Sequence, residues 1–181
     1  LSTGERVHAP YGDLASLRGR AAGRNAATGE NVEFPGTLQT GICKVFDYAA
    51  GATGLSERAA NAAGYDAVSA VYAAPDKPGF MGANLLVMKM TADRATGKLL
   101  GLQCVGPGDC SKRIAAAAMA LHGGLTVKDL TVADLPYAPP FSPAIDNLIT
   151  SAHVLENKMQ GRMTGMSCRE VKEKVDAGAE V

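Results

Sequence analysis

Positions 135–147 read LPYAPPFSPAIDN, which sets Tyr137 beside Pro139, Pro140 and Pro143 with Phe141 among them. Each proline fixes φ at about −65° and removes a backbone donor, so the segment has little conformational entropy left to lose. Rigid presentation of that kind suits the wall of another molecule's active site. The same residue types also suit a packed connection ahead of a helix, and the residues alone leave both readings open.

The other reactive side chains form no constellation. Cys43, Cys104, Cys110 and Cys168 are scattered and make no CxxC pair, so they read as reduced structural thiols rather than a dithiol or metal site. His8, His122 and His153 are dispersed, without a nearby His or carboxylate in sequence, and no metal site is indicated. Gly106, Pro107 and Gly108 precede a helical pattern but lack the Lys-Ser/Thr of a phosphate loop. Pro107 also removes an amide that an anion cradle needs, so the run reads as a turn.

Composition narrows the classes. The 181 residues, 46% of them hydrophobic, suffice for one domain with a sizeable core and flanking tails. Eighteen basic residues balance eighteen acidic ones, which argues against nucleic acid or an anionic membrane as partner. Aromatics are only 5%, with no Trp to stack on bases. No apolar run is long enough to span a bilayer and the start lacks the order of a signal peptide, so a soluble, cytoplasmic protein is expected.

The elements that must position Tyr137 follow from capping and periodicity. Residues 5–10 read as the end of a strand and a loop, and Asp13 as the cap of a helix over 14–27. Gly19 and Gly23 each weaken that helix by about 1 kcal/mol relative to Ala, so something should pack against it. LQTGICKVFDYAA reads as one strand with Ile42, Val45 and Phe46 as its apolar part. Ser56 caps a short helix ending at Gly64, and DAVSAVYAA is a further strand. NLLVMKMTAD and LLGLQCVG flank the RATGK turn as a hairpin, giving one antiparallel sheet. Asp109 caps an Ala-rich helix ending at Gly123, and Thr126 opens a short one. Ser142 as cap with Pro143 at the first helical position predicts a long helix ending near Gly161, with a wide apolar face through Ile145, Leu148, Ile149, Ala152 and Leu155. Ser167 and Glu170 form a capping box for a last helix, and the chain stops at Val181 where a strand would be expected.

Four of these segments, GDLASLRGRAAGRNA, ICKVFDYAAGATGLSE, the hairpin and LPYAPPFSPAIDN, occur in one order. Together they resemble the C-terminal dimerisation domain of FAD-dependent pyridine nucleotide-disulfide oxidoreductases. The branch most similar holds coenzyme A disulfide reductases, NADH oxidases and persulfide reductases. MSCREVKEKVDAG resembles the start of a rhodanese-like domain. The resemblance implies an α+β fold, an antiparallel sheet with helices packed on it. Residues 1–34 would be a remnant of the FAD-binding domain, 35–160 the dimerisation domain, and 161–181 a linker with the start of the rhodanese-like domain.

The resemblance also implies roles. Residues matching Tyr11, Gly12 and Asp13 lie against the flavin end of FAD in the family. The tyrosine matching Tyr137 reaches across a twofold interface into the partner's active site, and Pro139 and Phe141 would shape that pocket. A companion tyrosine of many members falls near Phe80, where this sequence has no hydroxyl. No GxGxxG occurs and no cysteine matches the family's redox motif. NAD(P)H would be the parent's co-substrate, the partners would be a second copy and the FAD/NAD(P)H domains, and the chain alone is expected to be inactive. An autonomous flavin- or coenzyme A-binding reductase and a purely structural association module are the alternatives.

Overall fold

A computed structural model describes residues 3–179; Leu1, Ser2, Glu180 and Val181, the outermost residues of the two flanking segments, lie outside the described residues. Five strands form one antiparallel sheet: β1 (Gly41–Val45), β2 (Tyr48–Gly54), β3 (Ala67–Pro75), β4 (Leu85–Asp93) and β5 (Leu99–Gly106), in the order β1-β2-β5-β4-β3. The α+β architecture expected from the sequence is the one found. The β4–β5 hairpin pairs Met90 with Leu102 and Met88 with Cys104, and a bulge lies at Thr91/Ala92.

Alternation decides which face is covered. Val68, Ala70, Leu86, Met88, Met90, Leu102 and Cys104 point to one side, where α3 (Cys110–His122) and α5 (Asn147–Met159) supply Ile114, Ala117, Leu148, Ala152 and Leu155. α4 (Val127–Thr131) packs against α5 and adds Val127 and Leu130 to the same core. Burying each such Leu or Met side chain stabilises the fold by about 1.5–3 kcal/mol. The opposite face is covered at one end, where the chain leaves β2, passes Leu55 over Gly101 and enters α2 (Glu57–Ala62). There Glu57 pairs with Lys89 at 2.6 Å, and this hydrogen bond, with one from Ser69, holds its carboxyl below the usual range.

Capping chemistry sets several helix starts. The Ser56 hydroxyl accepts from Ala59 N–H, and Thr126 with Asp129 makes a reciprocal box. Asp109 accepts from the N–H groups of Ser111 and Lys112 at the start of α3. Partial burial opposes ionisation of Asp109, but the Ser111 hydroxyl, these amides and Arg113 outweigh it and hold its carboxyl low. α6 (Cys168–Asp176) carries the expected Ser167–Glu170 box and has no buried residue.

Several expectations are corrected. The run LQTGICKVFDYAA is two strands, because the chain reverses at Phe46 and Asp47 and pairs Val45 with Tyr48. Phe46 sits at φ 52° in that turn and is 91% exposed, so it is no part of a strand's apolar side. The long helix begins at Asn147, capped by Asp146, and not at Ser142–Pro143. Residues 5–10 form no strand, having no ladder partner among the described residues, and α1 (Gly12–Thr28) is preceded by Tyr11 as N-cap with no side-chain bond. Asp13 therefore lies inside the first turn, where its charge favours the positive end of the helix. Nothing lies within 4 Å of a Cβ built at Gly19 or Gly23, so no described residue packs against those two glycines, although Leu14 is buried and Arg18 stacks on Phe34 elsewhere on the helix.

Candidate functional site

Tyr137 lies on the connection between α4 and α5, and one buried cation organises that connection. The Arg113 side chain is 0% exposed and donates through Nε and Nη2 to the Asp146 carboxylate at 3.2 and 2.8 Å. Its Nη1 reaches the Asp109 carbonyl at 2.9 Å and its Nη2 the Asp76 carbonyl at 3.0 Å. Asp146 also accepts from Leu148 N–H at 2.9 Å, so the guanidinium and the start of α5 share one carboxylate. Two-pronged charge-assisted bonds of this kind fix orientation as well as distance.

Asp76 joins a second loop to this centre. Its carboxylate accepts from the N–H of Asn84 at 2.8 Å and of Asp109 at 3.2 Å, which closes residues 76–84 into a loop around the short 3-10 turn Gly79–Met81. A Cβ on Gly108 would lie 2.9 Å from the Asp76 Cβ and Oδ2, so glycine there gives the carboxylate room to reach Asp109. The loop presenting Phe80 and the loop presenting Tyr137 are thus both anchored on Arg113. Asn147 reinforces this junction by donating from Nδ2 to the Pro75 carbonyl at 3.1 Å.

Within the Tyr137 connection the chain folds on itself. Phe141 and Ser142 N–H both donate to the Ala138 carbonyl, and the Ser142 hydroxyl donates to the Pro136 carbonyl at 3.4 Å. Ser142, which looks like a helix cap in sequence, is buried and spends its hydroxyl on this turn. Lys112 Nζ donates to the Phe141 carbonyl at 2.6 Å. The result leaves Tyr137 53% exposed and Phe141 69% exposed, with no hydrogen-bond partner for the Tyr137 hydroxyl among the described residues. Pro139 is half-buried.

Tyr11, Gly12 and Asp13 lie elsewhere. The Tyr11 hydroxyl would be 3.7 Å from a Cβ on Gly41, placing this ring at the β1 end of a shallow groove on the uncovered sheet face. That groove, about 620 Å³, is floored by Val71, Val87, Val105, Ala50 and Ala52 and includes none of Tyr137, Pro139 and Phe141. The two expected sets of residues are therefore not brought together within this chain. Sequence reasoning missed Arg113, Asp146 and Asp76: the first two are charged residues inside or beside apolar helical runs, and Asp76 is an ordinary turn aspartate after a strand.

The cysteines are inert where buried. Cys110 Sγ lies 3.4 Å from the Ala49 carbonyl, and burial pushes both the Cys104 and the Cys110 thiol up, with the adjacent Cys110 adding to the effect on Cys104. Cys43 and Cys168 are exposed. Iodoacetamide at neutral pH is expected to label Cys43 and Cys168 within minutes and to spare Cys104 and Cys110 until denaturant is added, as read by mass spectrometry. Equal labelling of all four would contradict the buried thiol environment. No group of three or more His, Cys, Asp or Glu side chains suited to a metal occurs among the described residues, and no helix there is long and apolar enough to cross a membrane.

Residues 40–149, more than half of the chain, match the family model described as pyridine nucleotide-disulphide oxidoreductase, dimerisation domain. The chain is 42% identical over 155 residues to the NAD(P)H sulfur oxidoreductase (CoA-dependent) of Pyrococcus furiosus, covering 85% of this chain and 35% of that protein. Among solved structures, a NAD-dependent persulfide reductase from A. fulgidus superposes with a TM-score of 0.90 at 39% identity, over 95% of this chain and 32% of the other. Reduced Bacillus anthracis CoADR-RHD gives 0.89 at 27% identity, over 97% and 32%. The chain belongs to the dimerisation-domain family of pyridine nucleotide-disulphide oxidoreductases, and spans about a third of the length of the curated relatives it matches.

Proposed function

We propose that this chain serves a flavin-dependent, cytoplasmic NAD(P)H oxidoreductase of disulfide, persulfide or oxygen substrates, and that it lends Tyr137 to the partner subunit's redox centre. The observation carrying this reading is the Tyr137 phenol itself: exposed, unpartnered among the described residues, and held on a loop anchored to a buried arginine. A phenol spent on its own core would have nothing to lend. The names of the Pyrococcus and A. fulgidus relatives support sulfur as the reacting element. In the same reading residues 1–34 complete an FAD-binding domain, residues 35–160 form the dimerisation domain, and residues 161–181 lead into a rhodanese-like domain.

FAD fits the residues present. Gly12 opens α1, a 17-residue helix whose first amides have no acceptor among the described residues, and no heavy atom lies within 4 Å of a Cβ on Gly12. Such a helix start approaches an electron-rich ring edge closely. Tyr11, Gly12 and Asp13 would hold that end of the group, which when bound relays electrons from the nicotinamide to sulfur. Tyr137 donates a hydrogen bond to the sulfur that takes up negative charge as the S–S bond breaks, while Pro139 and Phe141 exclude water from it.

Tyr137→Phe in the full-length reductase tests this reading. Turnover of a persulfide or disulfide substrate is expected to fall about 100-fold with flavin content and dimerisation unchanged, the loss typical of one transition-state donor. Unchanged turnover would refute the catalytic role and leave the chain a structural association module.

A further inference from the structure

We infer that Lys112 is a positioning residue for Tyr137, a role that rests on the reading of Tyr137 given above. Among the described residues, Lys112 supplies the one side-chain hydrogen bond that reaches residues 137–141 from another element. Its ammonium donates to the Phe141 carbonyl at 2.6 Å and lies 3.7 Å from the Asp146 carboxylate, with its side chain 33% exposed.

The geometry gives this bond a use beyond holding the fold. Arg113 already anchors the far end of the connection at Asp146, and Ser142 closes the turn from inside. Between those points residues 137–141 have no other cross-link, although they carry the two exposed aromatic rings. Ser142 N–H shares a peptide plane with the Phe141 carbonyl and also donates to the Ala138 carbonyl, so fixing the Phe141 carbonyl steadies the bond that closes the turn on Ala138, the residue after Tyr137. Lys112 lies in the first turn of α3, whose start is capped by Asp109, and Asp146 attracts the ammonium from the other side. A charge-assisted bond from a capped, packed helix is a stiff tether. Loosening it leaves the core intact and lets the phenol wander by a fraction of its own length, which is enough to degrade a transition-state contact.

Lys112→Met removes the ammonium and keeps the aliphatic stem; Lys112→Gln is a second variant should the first lose flavin. Each is expected to lower kcat of the full-length reductase about ten-fold with KM little changed, and Lys112→Arg, which restores a cationic donor, to recover most of it. In the Tyr137→Phe background the same replacement is expected to cost less than about two-fold, because its effect passes through a hydroxyl already gone. Independently of activity, amide exchange across residues 137–142 of the chain is expected to quicken about five-fold in Lys112→Met, with α3 and α5 unaltered. Unchanged kcat in Lys112→Met where Tyr137→Phe is impaired would overturn the inference and leave the reading of Tyr137 standing. Additive losses in the double variant, or unchanged exchange, would overturn it likewise. A fully active Tyr137→Phe would remove both.

Discussion

Replacing Arg113 by Met is expected to lower the unfolding free energy of the chain by about 3–5 kcal/mol, the cost of stripping one partner from a buried ion pair. The expectation rests on what is left behind. Asp146 is 6% exposed and loses two of its bonds, and the carbonyls of Asp109 and Asp76 lose theirs in the same step. Methionine fills much of the volume but supplies no donor. The double variant Arg113→Met with Asp146→Asn should be more stable than the single one, since the buried charge left facing only the Lys112 ammonium at 3.7 Å is gone and an Asn can still accept from Leu148 N–H at the start of α5. Urea denaturation followed by circular dichroism at neutral pH reads both values. Equal stability of single and double variants would mean that the pair contributes packing and not charge neutralisation.

The functional consequence is larger than the stability term. Both the 76–84 loop and the Tyr137 connection hang on this guanidinium, so its loss releases two aromatic-bearing loops together. Under the proposed function, the full-length protein carrying the single variant should lose turnover beyond what Tyr137→Phe alone causes, because Phe80 and Phe141 also lose their placement.

Which parts of this were legible in the sequence has a physical logic. The β4–β5 hairpin was readable because its turn, its alternation and its charged tip are all local, and the caps at Ser56, Asp109, Thr126 and Ser167 were readable because each contacts an amide two or three residues away. The β1–β2 reversal was hidden because a bulky Phe46 occupies a left-handed turn position that normally signals itself by Gly or Asn. Ser142–Pro143 has the local chemistry of a helix start, but the helix begins at Asn147, with Asp146 as its cap, where Arg113, 33 residues away, holds that carboxylate. Tyr137 was visible by residue type and proline neighbours alone. Its exposure and the lysine that ties its loop to α3 depend on contacts between positions 29 or more residues apart, which no local pattern encodes.

Gly101→Ala is the second change with a large expected effect, and it probes the packing on the other face of the sheet. A Cβ at Gly101 would overlap the Leu55 carbonyl oxygen and lie 2.8 Å from the Leu55 nitrogen, so the obstacle is backbone and has no rotamer by which to yield. That backbone is also bonded: Leu55 N–H donates to the Leu100 carbonyl at 2.8 Å. The added methyl must either break this bond or push β5 away from the crossing chain, at a cost of about 3 kcal/mol or more and a fall in Tm of about 10 °C. Gly51→Ala should cost less, because its Cβ would meet the Ile114 side chain at 2.8 Å and a side chain can shift. Gly23→Ala should raise stability by up to about 1 kcal/mol, with nothing within 4 Å of the new atom and a helix interior that favours alanine. The ranking across the three is the test, by thermal unfolding of the same chain. A Gly101→Ala protein as stable as Gly51→Ala would mean that the segment entering α2 does not press on β5. Because β5 runs on through Gly106 into the helix bearing Lys112 and Arg113, a displaced β5 would also carry the Tyr137 anchor with it. Damage on this face of the sheet should therefore reach the Tyr137 loop through the strand and, under the proposed function, turnover.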